Sequence, residues 1–203
     1  MTTSFATTKQ QLRNTIRQRR RALSDSQRQV YALDLARYLP THPWLKASRR
    51  IAVFLAQDGE LDLSATITAL WANQQQLYLP VIRPLPPNRL WFAPYSPDTT
   101  LIPNRYQILE PDGAPKQLLA ISKLDAVLFP LVAFDRCGGR LGMGGGFYDR
   151  TFAHVIKQRN RPRFIGVAFD QQQVEALPVE PWDIPLDAIA TPSGLINFSF
   201  HQA

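Results

Sequence analysis

Residues Ala126 to Arg150 read AVLFPLVAFDRCGGRLGMGGGFYDR. The opening run, Ala126 to Asp135, is apolar up to its closing aspartate and has the length and β-branched, aromatic content of a buried strand. Beyond Arg140, four of the chain's 10 glycines fall within the five residues Gly142 to Gly146. Phe147, Tyr148 and Asp149 follow, at the start of an expected helix from about Phe147 to Gln158. A strand, a glycine-rich loop and a helix start form a phosphate cradle, because glycines let backbone N–H groups approach an anion closely. Arg140 adds a guanidinium suited to bidentate phosphate contact. The spacing matches neither GxxxxGK[ST] nor GxGxxG with an acid on the next strand, which disfavours a P-loop or an ordinary dinucleotide site. A plain tight turn is the alternative reading, but it leaves four glycines beside Arg140, Tyr148 and Asp149 unaccounted for. Asp149 either complements the helix dipole or binds Mg2+ beside bound phosphates. Phe147 and Tyr148 are either core residues or an aromatic face for a flat ring.

Working outward, IAVFLA (Ile51 to Ala56) reads as another buried strand and ends in the acidic turn QDGELD. A helix is expected from about Asp62 to Asn73, then strands at QLYLPVI (Gln76 to Ile82) and RLWFAPYS (Arg89 to Ser96). Residues 97–116, rich in proline, read as a long irregular connection. RFIGVAFD (Arg163 to Asp170) and AIAT (Ala188 to Thr191) supply two later strands. Strands alternating with helices argue for an α/β fold with a largely parallel sheet, residues 1–203 forming a single domain. Ligands of such sheets bind beyond the carboxyl ends of the strands, so QDGE and the glycine loop are expected to face one cleft. Glu60 in that turn is otherwise simply a solvated acid.

The chain carries a formal charge of +7, and no acid precedes Asp25. Such a balance calls for an anionic partner. The basic, acid-free start fits an organelle transit peptide or a nucleic-acid arm. It also carries structural signals. Leu12, Ile16 and Leu23 fit one helical stripe with the arginines mostly off it, and Lys9 and Arg13 share a face. Ser24 and Gln27 form a capping box opening a second helix through Val30, Leu33 and Leu35 to a stop at Pro40, which makes an N-terminal helical hairpin. No apolar run approaches the roughly 20 residues that span a bilayer, and no secretory pattern opens the chain, so the expected location is the cytoplasm. Cys137 stands alone, and His42, His154 and His201 lack metal-ligand spacing, which argues against a zinc site.

In combination, these blocks resemble the 5-formyltetrahydrofolate cyclo-ligase family. The resemblance rests on KQQLR (Lys9 to Arg13), FLAQDGELD (Phe54 to Asp62), YQILEP (Tyr106 to Pro111), FPLVAFDRCGGRLGMGGGFYDR (Phe129 to Arg150) and PWDIPLDAIAT (Pro181 to Thr191), in the family's order. Met143 departs from the family's frequent arginine or tyrosine, Phe147 from its tyrosine and Leu63 from its threonine. Met143 thereby removes a possible phosphate cation.

The resemblance implies a Rossmann-like layered fold and an ATP-dependent ring closure that turns 5-formyltetrahydrofolate into 5,10-methenyltetrahydrofolate with Mg2+. It implies a nucleotide site made of Lys9, Gln10, Gln11, Leu12 and Arg13 together with Arg140, Leu141, Gly142, Met143, Gly144, Gly145, Gly146, Phe147 and Tyr148. Leu55 and Glu60 would take the folate, bordered by Met143 to Phe147, and Asp149 and Asp183 the metal. Arg140 and Tyr148 would lie closest to the chemistry, with no general base assigned. The implied partners are ATP and a folate carrying an anionic, possibly polyglutamate, tail; neither nucleic acid nor membrane is expected, and the chain is expected to act as a monomer.

Overall fold

The computed structural model describes residues 3–85, 88–113 and 117–198, with side chains from Lys9 onward. His201 therefore lies outside the described residues, as do the ends of the expected 1–203 domain. Helix α1 (Thr3–Arg21) and α2 (Asp25–Tyr38) form the expected hairpin, and both hydrogen bonds of the Ser24–Gln27 capping box are present. The short α3 (Pro43–Lys46) then leads into β1 (Arg50–Ala52), α4 (Ser64–Ala72), β2 (Gln76–Arg83) and β3 (Arg89–Tyr95). A two-stranded ribbon of β4 (Leu101–Pro103) and β5 (Leu109–Pro111) precedes β6 (Ala126–Pro130). The chain continues through β7 (Ala133–Phe134), β8 (Arg140–Leu141), α5 (Phe147–Phe152), β9 (Arg163–Val167), β10 (Ala188–Thr191) and β11 (Gly194–Asn197).

Seven strands make the central sheet in the order β11-β10-β9-β6-β1-β2-β3. The five inner strands are mutually parallel, and the two edges run antiparallel. Period-two alternation divides the core between the two faces. Ile51, Leu77, Leu79, Leu128 and Ile165 pack with Leu35, Ile67 and Leu70 of α2 and α4. Ala52, Tyr78, Val127, Phe129 and Phe164 pack on the other face with Phe152 of α5. Phe129 is the hub there, with ring centroids 4.9 Å from Tyr148, 5.6 Å from Phe152 and 5.2 Å from Phe164. Both faces of β6 are therefore covered, as its unbroken apolar sequence requires. Among the described residues, no helix is long and apolar enough to cross a membrane.

Several expectations change. The run Ala126 to Asp135 is not one strand: it bends after Pro130, and β7 turns back through Asp135, whose carboxylate accepts the N–H groups of Cys137 and Gly139. That turn pairs β7 with β8 and delivers Arg140 to the sheet's carboxyl end. Helix α5 stops at Phe152 instead of Gln158: beyond it the Phe152 C=O is shared by the Val155 N–H at 2.9 Å and the Ile156 N–H at 3.2 Å, a tightened turn, and the β-branched Val155 and Ile156 disfavour further helix. Residues 97–116 are not wholly irregular. Asn104 Oδ1 accepts the N–H groups of Tyr106 and Ile108, an Asx turn that folds β4 onto β5. In α2 the buried residues are Ala32 and Leu35, whereas Val30 and Leu33 face solvent. AIAT is followed by a further edge strand, β11.

Candidate active site

A cavity of about 1010 Å³ opens where β1, β2 and β6 end, the crevice an open parallel sheet leaves at its carboxyl edge. One end is built by the turn after β1. Asp58 and Gly59 both have positive φ, 50° and 74°, and the Glu60 N–H returns to Gln57 C=O at 2.9 Å. An Asp-Gly pair is the usual solution for a turn with two left-handed residues. The α1–α2 hairpin clamps it. Arg17 Nε donates to Asp58 Oδ2 at 2.7 Å, Arg20 Nη2 to the same oxygen at 2.9 Å, and Arg21 to Oδ1. Arg28 reaches Gly59 C=O at 3.1 Å. The Glu60 carboxylate accepts the Gln57 N–H at 3.0 Å and faces the cavity beside Leu55.

Two carboxyls two residues apart are tuned in opposite directions. Burial pushes Glu60 up to about 7, offset only in part by the Gln57 hydrogen bond and the Arg20 charge and reinforced by Asp58. Burial pushes Asp58 up as well, but the bonds from Arg17 and Arg21 and the charges of Arg17 and Arg20 outweigh it and hold Asp58 at about 2.

The other end is the glycine loop, where Gly144 and Gly146 have φ of 98° and 61°. Arg13 Nε donates to Gly142 C=O at 2.9 Å, and Arg150 Nη1 to Gly145 C=O at 2.6 Å. Burial lowers Arg13 from its usual range, with Asp183 pulling the other way. Lys9 Nζ sits 3.3 Å from Asp183 Oδ2 and 3.7 Å from Glu180. Arg140 is almost fully buried, lies over the Phe129 ring at 5.0 Å and pairs with Asp149 Oδ1. The Tyr148 hydroxyl is held protonated, its acidity suppressed first by burial and then by Glu60, against the charge of Arg140.

The cavity thus brings together Lys9, Arg13, Leu55, Glu60, Asp149, Asp183 and every residue from Arg140 to Tyr148. Gln10, Gln11 and Leu12 are not among its lining residues: Gln10 bonds Asn14, Gln11 is exposed, and Leu12 packs on Ile16 and Leu141. Trp182 lines the mouth at 68% exposure and carries no role in the sequence reading. Glu110 was also unassigned; its Oε1 accepts the Ile82 N–H and Asn104 Nδ2, bracing the cavity wall. The basic start of the chain is engaged internally, since Arg13, Arg17, Arg20, Arg21 and Arg28 all bind groups of this chain. That is a structural use for charge that had suggested a transit peptide or a nucleic-acid arm.

For a divalent cation the donor set is sparse. Asp149 Oδ1 is taken by Arg140 and the Ile184 N–H, and Asp183 Oδ2 by Lys9 and the Glu180 N–H. The second oxygen of each carboxylate accepts no hydrogen bond from the described residues. Among those residues no group of three or more His, Cys, Asp or Glu side chains is arranged around a common point. These donors fit Mg2+ only as one or two carboxylates supplementing phosphate oxygens, which is how Mg2+ is commonly bound.

Comparison with known proteins bears on the fold and the family. The family model of the 5-formyltetrahydrofolate cyclo-ligase family matches residues 6–192. The 5-formyltetrahydrofolate cyclo-ligase of Escherichia coli (strain K12) is 47% identical over 178 residues, covering 88% of this chain and 97% of its own. That of Haemophilus influenzae is 38% identical, covering 88% of this chain and 94% of its own. The NMR structure of Aquifex aeolicus 5,10-methenyltetrahydrofolate synthetase superposes with a TM-score of 0.80 at 28% identity, covering 96% of this chain and 95% of the other. With a family model that matches residues 6–192, a relative 47% identical over 88% of the chain and a fold that superposes over nearly its whole length, the protein belongs to the 5-formyltetrahydrofolate cyclo-ligase family.

Proposed function

We propose that the protein catalyses the ATP-dependent cyclisation of 5-formyltetrahydrofolate to 5,10-methenyltetrahydrofolate, releasing ADP and phosphate. The observation that carries the reading is a single cavity with a carboxylate receptor at one end and a glycine loop flanked by Lys9 and Arg13 at the other. The Glu60 carboxylate suits the adjacent N–H donors of a pterin ring. Leu55 supplies an apolar contact for the same ring, and the phosphates lie along the loop, with Lys9 exchanging Asp183 for a phosphate oxygen.

The formyl group on N5 is an amide, and its oxygen cannot leave as oxide. Transfer of the ATP γ-phosphoryl group to that oxygen creates a phosphate leaving group. N10 then attacks the formyl carbon, the N10 proton is lost, and the C–O bond breaks to expel phosphate and leave the methenyl bridge. Positioning and neutralisation of charge supply most of the catalysis in such a transfer. Arg140 and Tyr148, which line the same cavity, would contact the reacting groups: Arg140 as a cation for the transferring phosphoryl, Tyr148 as a neutral hydrogen-bond donor. Gln10, Gln11 and Leu12 act by holding Lys9 and Arg13 on one helix face. Asp149, with Asp183 as the second donor, would hold a Mg2+ ion, which would supply neutralisation of the triphosphate charge. The protein is taken to act as a monomer, and the exposed Arg150 at the mouth suits the carboxylates of a polyglutamate tail. ATP and folates are both available in the cytoplasm, the expected location.

Purified protein mixed with Mg-ATP and 5-formyltetrahydrofolate should show an ATP-dependent rise in the near-ultraviolet absorbance of the methenyl product. A folded sample that binds ATP without forming it would overturn the reading.

A further inference from the structure

Arg20 contributes nothing to the cavity wall, yet its side chain is wholly buried, an expensive place for a guanidinium. Its bonds explain where it is held. Nη2 donates to Asp58 C=O at 2.7 Å and to Asp58 Oδ2 at 2.9 Å, while Nη1 reaches Leu131 C=O at 3.5 Å. One side chain thus ties α1 to the turn after β1 and to the end of β6, two segments that wall the cavity. Its Nε is buried with no hydrogen-bond partner among the described residues, so the fork is aimed at the Asp58 turn at the cost of one donor. Asp58 is held in turn by Arg17 and Arg21, and two residues on stands Glu60.

We propose that Arg20, without touching substrate, is the positioning residue that fixes the Glu60 carboxylate and sets the balance of charge around it, with Asp58 as the opposing weight. The inference rests on the reading that Glu60 receives the pterin. The groups facing Glu60 are Arg20 from α1, Asp58 from its own turn, and Tyr148 from α5, whose hydroxyl lies within the influence of both Glu60 and Arg140. Arg20 favours the ionised carboxylate and Asp58 opposes it, so removing either should move Glu60 in opposite directions. A residue that merely stabilised the fold would not produce that reversal. The consequence for the reaction is that Arg20 controls folate capture near neutral pH while leaving ATP handling at the glycine loop alone.

The test follows the Glu60 side-chain carboxyl by 13C NMR as pH is varied, in the full-length protein and in Arg20→Met, Arg20→Lys and Asp58→Asn. In parallel, kcat/KM for 5-formyltetrahydrofolate is measured at saturating Mg-ATP over the same pH range. Removing the charge in Arg20→Met should move the Glu60 midpoint upward by about one pH unit and lower folate kcat/KM about tenfold at pH 7. Asp58→Asn should move the midpoint downward. Arg20→Lys, with the charge kept and the fork lost, should leave the midpoint within a few tenths while folate KM rises several-fold. ATP KM should stay within twofold throughout. If Arg20→Met does not fold, Arg20→Lys and Asp58→Asn carry the test alone. A Glu60 midpoint unmoved in Asp58→Asn, or an Arg20→Lys variant with folate KM unchanged, overturns the role of Arg20. A midpoint that moves as stated while folate kcat/KM shows no limb at any pH overturns instead the assignment of Glu60 to the pterin.

Discussion

The two ends of the cavity are built on opposite plans. The Asp58–Glu60 turn is closed by protein alone: three arginines hold one aspartate, a fourth holds the next carbonyl, and nothing has to leave for Glu60 to present its carboxylate. At the glycine loop two cations are paired with carboxylates, Lys9 with Asp183 and Arg140 with Asp149, and on the proposed function these carboxylates give way to phosphates. The contrast teaches that α1 serves both ends, with closed bonding to Asp58 at its C-terminal turn and, on that proposal, an exchangeable pairing at Lys9 beside Arg13. One end is pre-organised, which lowers the cost of binding a ring. The other pairs two of its cations internally and, on the same proposal, opens those pairs to an anion.

The largest effect should come from the pre-organised end. Glu60→Gln keeps the shape but turns an anionic acceptor into an amide that also points donors at the ring. Folate kcat/KM should fall about 100-fold, the loss expected when hydrogen bonds to a charged group are replaced, with ATP KM within twofold. Equal losses for both substrates would mean that the ends are not separable.

Next in size is the acid response of the clamp. Asp58 is held at about 2 against an ordinary 3.8, so its ionised form contributes stability above the unfolded value, lost as pH falls from about 3.8 to about 2. Glu60 has the reverse sign: raised to about 7, its carboxyl subtracts stability as pH rises from about 4.5 to 7. Urea unfolding should show Asp58→Asn about 2 kcal/mol less stable than the parent protein at pH 7, with the gap narrowing below pH 4. Glu60→Gln should gain relative to the parent over pH 5 to 7.

Substitutions at the exchangeable end should be milder and confined to the nucleotide. Arg13→Ala should raise ATP KM about tenfold, the scale of one charge-assisted contact, while folate KM changes little. A comparable rise in folate KM would show that α1 transmits disturbance along its length. Smallest is Asp149→Asn, for which a Mg2+ titration of the rate should shift about threefold upward, since phosphate oxygens retain most of the coordination. An unaltered titration would return Asp149 to capping α5 and holding Arg140.

The glycine loop and the capping box could be read from the sequence because their chemistry is local: glycine spacing and a Ser-x-x-Gln pattern state their own geometry. The clamp could not be read that way, because Arg20 lies 38 residues from Asp58. A signal was nonetheless present. Arg20 falls four residues after Ile16 and three before Leu23, on the very stripe assigned to apolar residues, and a charged residue on a buried stripe has to find a partner. In α2, Val30 and Leu33 are apolar but exposed, a reminder that apolar residues are not confined to the core. Strand β8 was hidden because two residues hold no period, and it is the Asp135 turn that makes them a strand.

The contact between Lys9 and Asp183 spans 174 residues. At ordinary rates of synthesis the Arg20–Asp58 clamp has both its halves within roughly 2 to 8 s, whereas Lys9 waits roughly 10 to 35 s for its acid. For most of its time on the ribosome, then, the nascent chain has both halves of the Arg20–Asp58 clamp but not of the Lys9–Asp183 contact, so the wall of the cavity nearest the chain's start is among the last to be tied down.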